Sequence, residues 1–409
     1  MRTSHVLSTA ALTAALAVPA HSAPPVQTPA TQIWIDVGTH KMANMPDMGA
    51  LGRFAMGMMG GNRSRPSFPT TRNLAAPGQF LDVAVHNRLK PGKQVEDEAP
   101  DGLGLGRLVL LPPSTDRSRS DNPPQDPPDV EITIREYWGC GGAIGPGQPK
   151  VSTYTVKGGQ ASVIGGMTPS TFAPQNDVQP TPAYALWPNT VHGQRVSEGA
   201  SLVGGHRFSG EGIPASLRFD LDRSADFMPE IALTSLGEGD EPIQLSWLPV
   251  ERAQAYFLQA TQAEAPAQPG VNKMSMTVWS SAATAGAGAA LVDYVGPSHV
   301  QRWLKEKVLL PTGTTSCTVP QGIFATGKGA PGMTLLNMIA YGPETHLAHP
   351  AKPTDPKLLA AWKPEWSVRV RTKSTASLVL GMEVADARQQ DGKKESVGKK
   401  LLRGLLRTR

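Results

Sequence analysis

Glycine and proline are the residues that most restrict what this chain can fold into. The chain has 409 residues, of which 42 are Gly and 38 are Pro, almost a fifth of the total. Both residues are poor helix formers, so a helical bundle is disfavoured. Hydrophobic residues make up 39%, which is enough to build cores. The sequence therefore predicts a mainly β protein with long loops, and its length indicates two or more domains.

Strand-like alternation recurs in the first half of the chain. Ile33, Ile35 and Val37 alternate with polar or small residues, and Val130 to Ile134 alternates in the same way. Residues 112–129 are rich in Pro, Ser and Asp, a composition that cannot bury enough apolar surface to order itself. We therefore expect a β-sandwich-like N-terminal domain over residues 31–226, interrupted by a disordered loop at 112–129.

The first 23 residues have the pattern of an export signal. Arg2 supplies a positive start, residues 6–18 form a short apolar run, and small residues follow at Ala20 and Ser22. The run is too short to span a bilayer core of about 30 Å as a helix. We expect a cleaved signal peptide at 1–23 and a periplasmic or secreted mature protein; an uncleaved anchor is the alternative.

The positive charge of the chain is concentrated in its last residues. The formal net charge is +5, and residues 393–409 carry seven basic residues against Glu395 alone. The body is nearly neutral, which argues against nucleic acid as a partner. Residues 382–409 form a basic tail whose leucines share one helical face, as expected for contact with an anionic membrane or an acidic partner. The predicted contact residues are Lys399, Lys400, Leu401, Leu402, Arg403, Leu405, Leu406 and Arg407. A frayed, solvated terminus is the alternative.

The two cysteines of the chain are Cys140 and Cys317. In an oxidising compartment an even cysteine count favours a disulfide, which here would join the two halves of the chain. Two separate buried thiols are the alternative.

A methionine-rich segment is the strongest chemical signal. Its candidate metal ligands are His40, Met42, Met45, Met48, Met56, Met58 and Met59. Thioethers are soft, uncharged ligands that favour Cu(I), so this array resembles the motifs of copper-handling exported proteins. A flexible apolar loop that covers a partner surface is the alternative, and no other cofactor is expected.

The segment from Ile243 to Ala260 resembles the opening of a fibronectin type III module. In that family one strand ends in a core Trp and the next begins at a core Tyr, as Trp247 and Tyr256 do here. The resemblance implies a second sandwich over residues 228–381 and no particular activity. A short helix is predicted inside it from Ser298, which is expected to cap the helix, to Leu310 before Pro311.

Signals for catalysis are weak. No Gly-x-Ser-x-Gly turn or His-Glu-x-x-His motif is present. The leader, residues 137–140 and the second half together resemble exported proteobacterial proteins, which implies no activity. The sequence thus favours a non-catalytic envelope interaction or structural protein whose partner is an envelope protein or a polysaccharide. A periplasmic copper-handling protein is the first alternative, and a hydrolase on a β-sandwich scaffold is the second.

Overall fold

The computed structural model describes residues 28–43, 66–72, 74, 76–113, 129–158, 160–165, 178–237, 241–264, 272–324, 333–359 and 361–380. The described chain is mainly β and forms several sheets, which confirms the prediction of a mainly β protein. The predicted signal peptide, most of the Pro-rich loop and the basic tail lie outside the described residues.

The strands of the first half are β1 Thr31–Met42, β2 Gly78–Asn87, β3 Val95–Glu98, β4 Arg107–Leu110, β5 Val130–Trp138, β6 Lys150–Lys157, β7 Gln160–Ile164, β8 Tyr184–Trp187, β9 Gly204–Gly210 and β10 Arg218–Leu221. Those of the second half are β11 Leu233–Leu236, β12 Ile243–Trp247, β13 Ala255–Glu264, β14 Lys273–Ser280, β15 Ser316–Val319, β16 Thr334–His349 and β17 Trp366–Val379. The α-helices of the described chain are α1 Pro297–Lys305 and α2 Pro356–Leu359.

The described strands form three sheets, of which one is much larger than the other two. Its ten strands run in the order β7-β6-β5-β14-β13-β16-β17-β1-β2-β8. A four-stranded sheet, β10-β9-β3-β4, and a three-stranded sheet, β11-β12-β15, accompany it. Within the large sheet β1 runs parallel to β17, and β5 runs parallel to β14. The large sheet therefore takes strands from both sides of the predicted boundary near residue 227.

Two hydrophobic cores lie on the same side of the large sheet. The first, called here the N-terminal core, packs β1 and β2 against the four-stranded sheet, with Ile33, Ile35 and Val37 all buried. The second, the C-terminal core, packs β13, β14 and β16 against the three-stranded sheet. Trp247 meets Tyr256 edge-on there, at 5.7 Å between ring centroids. Ile33, Ile35 and Val37, which the alternation marked as inward-facing, thus help to fill the N-terminal core.

Strands β16 and β17 are long enough to serve both cores. Val368 and Val370 of β17 belong to the N-terminal core, whereas Ala376 and Leu378 belong to the C-terminal core. The pairing of β16 with β17 shifts register between Tyr341 and Glu344, at the passage from one core to the other. The two cores are therefore joined by strands that run from one core to the other.

The opposite side of the large sheet is covered by residues 281–311, called here the cover. Its apolar side chains, with Trp303 and Leu309 among them, pack on Phe257, Ile339 and Tyr341 of the sheet. The cover contains α1, the predicted inserted helix, but the expected cap at Ser298 is wrong. The helix begins one residue earlier at Pro297, after Gly296, because proline at the first helical position needs no N–H partner.

A disulfide joins Cys140, after β5, to Cys317 in β15, with 5.1 Å between the Cα atoms. The neighbouring backbone supports the connection, since the Gly141 N–H donates to the Thr318 carbonyl at 2.9 Å. The bridge fastens the three-stranded sheet to the strand that follows the Pro-rich loop.

Reducing this disulfide should destabilise the protein. The two cysteines are 177 residues apart, so loop-closure entropy gives an upper figure of about 5 kcal/mol for the loss in free energy of unfolding. Urea denaturation with and without reductant measures it. A Cys140→Ser/Cys317→Ser variant is the control, because its midpoint should not respond to reductant. An unchanged midpoint for the parent would show that the bridge contributes nothing.

Candidate functional site

The structure describes only part of the predicted metal site. His40 and Met42 end β1, whereas Met45, Met48, Met56, Met58 and Met59 lie outside the described residues. All eight predicted contact residues of the tail also lie outside them. Among the described residues, no three His, Cys, Asp or Glu side chains converge as a metal site.

His40 is buried on the cover side of the sheet. Its Nδ1 atom hydrogen-bonds the Thr375 hydroxyl at 2.9 Å, and its side chain points to the same side of β1 as that of Met42 two residues later. Burial lowers the pKa of His40 to about 4, so the imidazole is neutral at physiological pH.

A cluster of buried charges occupies the same side of the sheet. Asp36 and Arg371 are opposite one another in the β1–β17 register. The Arg371 guanidinium donates two hydrogen bonds to the Asp36 carboxylate, at 2.8 and 2.6 Å. Both residues are almost fully buried. This two-point geometry is the strongest form of an Arg–carboxylate contact.

Three further residues extend this pair into the cover. Lys373 Nζ donates to Asp293 Oδ1 at 3.1 Å, and Arg72 Nε donates to Asp293 Oδ2 at 2.7 Å. Arg72 also lies 3.6 Å from Asp36. The five residues, called here the ionic cluster, are Asp36, Arg72, Asp293, Arg371 and Lys373. They link β1, β17, the segment at residue 72 and the cover in one network.

Tyr294 of the cover lies among the positive charges of the cluster. Lys373 Nζ is 4.4 Å and the Arg371 guanidinium carbon 4.5 Å from the centre of its ring. Such cation–π contacts are strengthened by exclusion of water. Burial raises the pKa of Tyr294 well above its usual value, so the phenol stays neutral.

The pKa values of Asp293 and Lys373 show how the charges are balanced. Burial alone would raise the pKa of Asp293, but Lys373 and Arg72 outweigh it and hold the pKa below its usual value. Burial lowers the pKa of Lys373, and Asp293 opposes that effect. Lys373 is 1% exposed. A lysine in this position fastens the cover to the sheet and is closed off from a substrate.

A second buried carboxylate anchors the segment at residues 70–72. Asp82 of β2 accepts four hydrogen bonds of 2.7–2.8 Å from the backbone and hydroxyl groups of Thr70 and Thr71. Burial raises the pKa of Asp82 despite these bonds. The contacts explain how Arg72, the next residue, is positioned against the ionic cluster.

The hydrolase alternative gains no support from the buried Asp97–His206 pair. Asp97 Oδ2 lies 3.1 Å from His206 Nδ1, and the other ring nitrogen lies 3.3 Å from the Leu202 carbonyl oxygen. Both side chains are 1% exposed, so a substrate cannot reach them. The pair is closed off beside the N-terminal core, and Asp97 Oδ1 has no hydrogen-bond partner among the described residues.

One end of the large sheet has an apolar side that belongs to no described core. The residues on this side come from β5, β6, β7 and β14 and are called here the open face: Ile132, Ile134, Tyr154, Val163, Met274 and Met276. Met274 is 38% and Val163 40% exposed, and the other four are partly buried. The other side of the same strands is mixed: Thr133, Arg135, Thr153 and Ser275 are polar, whereas Val151 and Ile164 near the sheet edge are exposed apolar residues.

Neither the ionic cluster nor the open face was predicted from the sequence. The signal for the cluster was present: Asp36 interrupts an apolar strand, and Arg371 and Lys373 alternate on another. The signal for the open face was the clean alternation of Val130 to Ile134. Only the fold shows which of these positions meet and which remain exposed.

No protein-family model matches the chain, and no curated protein or solved structure is significantly similar to it. No helix among the described residues is long and apolar enough to cross a membrane. Functional inference therefore depends on the geometry of the chain itself.

Removing one charged partner of the ionic cluster should destabilise the folded protein. Lys373→Met leaves Asp293 with less compensation in a buried site, and we expect a loss of about 3 kcal/mol in the free energy of unfolding. The double variant Asp293→Asn/Lys373→Met should recover part of it. Glu306→Gln is the control, because its partner Arg302 is exposed and such pairs contribute under about 1 kcal/mol. Equal losses for Lys373→Met and Glu306→Gln would contradict the structural role of the cluster.

His40 should make stability depend on pH. Between pH 6.5 and about 4 the unfolded chain binds a proton that the folded His40 does not, so stability falls as the pH falls through this window. The loss amounts to about 3 kcal/mol at the low end. The difference between the parent and His40→Gln, measured by urea denaturation from pH 7 to 4, isolates this contribution. If the parent and the variant lost stability in parallel as the pH fell, burial would not lower the pKa of His40.

Proposed function

We propose that this chain is an exported, non-catalytic cell-envelope protein that binds a partner through the open face. The open face is the observation that carries the proposal. A sheet with one apolar and one polar side buries the apolar side against something. Contiguous exposed apolar surface on a soluble protein marks an interaction site.

The inner polar groups support a non-catalytic role. The charges of the ionic cluster pair with one another, and Lys373 and Arg371 are closed off from solvent. The Asp97–His206 pair is equally inaccessible. A general base or nucleophile has to reach the atom on which it acts, and these groups do not.

The fibronectin type III resemblance is part of this proposal. The strand order supports it: three strands, β11-β12-β15, face four, β14-β13-β16-β17. Seven strands in two layers, with Trp247 and Tyr256 in contact between them, are what the resemblance implies. Here the four-stranded layer continues into strands of the N-terminal half, so the module is embedded in a larger sheet. Such sandwiches are interaction scaffolds with no fixed activity, so this part of the proposal is an argument by analogy with the fold.

Export to the periplasm or beyond also remains a proposal. The leader at residues 1–23 supports it, and so does the Cys140–Cys317 disulfide, because disulfides persist in oxidising compartments. Contact of residues 393–409 with an anionic membrane is proposed on the charge and leucine pattern of the tail alone.

The partner proposal predicts that charge on the open face abolishes capture. We expect tagged Met274→Glu/Met276→Glu protein to lose envelope partners that the parent retains from envelope extract. Thr153→Glu/Ser275→Glu is the matched control, because it adds the same charge at polar positions on the other side of the same sheet. All three proteins should melt at similar temperatures. Equal capture by the open-face variant would contradict the proposal.

Copper handling is a second candidate because of one observation. His40 and Met42 lie side by side where the chain enters the methionine-rich segment, and His40 Nε2 makes no hydrogen bond to a described residue. The two residues present suit Cu(I), since imidazole and thioether are ligands it accepts.

If this site binds copper, the thioethers should decide the affinity. Met42→Leu/Met45→Leu/Met48→Leu keeps the apolar volume and removes the sulfur. Competition of parent and variant with a Cu(I) chelator probe measures the effect, and we expect at least a tenfold loss. Equal competition by both proteins would eliminate the copper hypothesis.

A further inference from the structure

The open face lies beyond the reach of the cover. The cover contacts β5 at one end, where the Gly286 N–H donates to the Glu136 carboxylate. Ile132 and Ile134 lie further along the same strand, on the same side as Glu136. None of the open-face residues belongs to the three hydrophobic cores of the described chain. An apolar surface in this position requires an occupant that the described residues do not supply.

The last described strand, β17, is separated by β16 and β13 from β14, the nearest strand of the open face. Val379 pairs with Leu335 in β16, and the Leu380 N–H donates to the Thr334 carbonyl at 3.0 Å. Leu335 is 38% exposed and pairs with Thr261, which in turn pairs with Val278 of β14. Leu335 therefore shares the side of the sheet that carries Met274 and Met276, and the tail leaves the sheet two strands away from the open face.

We propose that residues 397–406 of the C-terminal tail dock on the open face of the same molecule as a short amphipathic helix. The proposal deepens the proposed function, because it makes the tail the occupant that a binding partner displaces. Both inferences use the same surface, but they can fail separately.

The tail has the length and the pattern for this contact. Sixteen residues, 381–396, separate Leu380 from the docking segment, and in extended form they span up to about 53 Å. Four strand spacings separate β17 from β5, which is about 19 Å. The ten residues 397–406 make a helix of about 15 Å, enough to cross three strands.

The apolar residues of this segment match a sheet surface. Val397, Leu401, Leu402, Leu405 and Leu406 fall at positions i, i+4, i+5, i+8 and i+9, on one face of a helix. The basic side chains, such as Lys400 and Arg403, then point to solvent. The leucines meet isoleucine, methionine and tyrosine on the open face, and the polar side of each element remains hydrated.

The methionine-rich segment at 44–65 is a poorer occupant, because it is tethered at both ends. The segment leaves β1 after Ala43, whose N–H donates to the Ser377 carbonyl. It returns near Phe68, whose N–H donates to the carbonyl of Pro188, just beyond β8. A path to β5 and back to β8 crosses twelve strand spacings, about 58 Å. The 24 residues between Ala43 and Phe68 span at most about 79 Å, so the segment would have to stretch to roughly three quarters of its full length with both ends fixed. The tail needs only about a third of its reach.

The test is photo-crosslinking in the full-length protein. Leu402 is replaced by benzoylphenylalanine, the protein is irradiated, and cross-links are mapped by mass spectrometry. We expect intramolecular cross-links to residues 130–138 or 273–280. The matched control carries the same photoreactive residue in place of Arg403, on the basic side of the helix, and should give at least a fivefold lower yield there.

A second variant ties the cross-link to the open face. Met274→Glu/Met276→Glu should lower the yield from position 402 at least fivefold, with no change in melting temperature. The proposal is overturned by cross-links between two chains, by cross-links mainly to other regions, by equal yields from positions 402 and 403, or by no cross-link at all. Partner capture that depends on Met274 and Met276 without any tail cross-link would leave the proposed function intact and remove this inference alone.

Discussion

The parallel pairing of β1 with β17 joins the first described strand of the chain to the last, and the rest of the architecture depends on it. The register runs without a break from Thr31 opposite Trp366 to Met42 opposite Ser377. Because β1 and β17 both supply apolar side chains to the N-terminal core, that core is complete only when the first and the last described strands have met, and β17 also contributes to the C-terminal core. The Asp36–Arg371 pair lies near the middle of this register, close to the passage between the cores.

The two sides of the large sheet have different structural roles. One side buries the two cores, and the other holds the cover through its own apolar contacts and through the ionic cluster. A buried ion pair adds little net stability compared with apolar packing, but it penalises any arrangement that leaves one charge unmatched. The cluster therefore specifies where residue 72 and the cover sit. The same side of the sheet carries the open face at one end, and no described residue covers the sheet there.

The sequence predicted those features that depend on local pattern. The alternation at Ile33 to Val37 and the Trp247 and Tyr256 positions led to the correct buried residues. A helix was expected from Ser298 to Leu310, and the structure has it at Pro297–Lys305. The pairing of Asp36 with Arg371 could not be foreseen, because 335 residues separate the partners. Alternation at Val130 to Ile134 shows that one side of a strand is apolar, but not whether another element covers it. The continuity of the large sheet across residue 227 likewise depends on long-range pairing.

Native-state hydrogen exchange under increasing urea tests most directly whether the shared sheet makes the two cores one cooperative unit. If they are one, the opening free energies of amides in β1, β13 and β17 should converge on a single value. The N-terminal strands and the C-terminal sandwich would then lose protection at the same urea concentration. If the opening free energies of residues 31–226 and 228–381 converged on two separate values, at different urea concentrations, the account would be contradicted. The two parts would then unfold as independent domains.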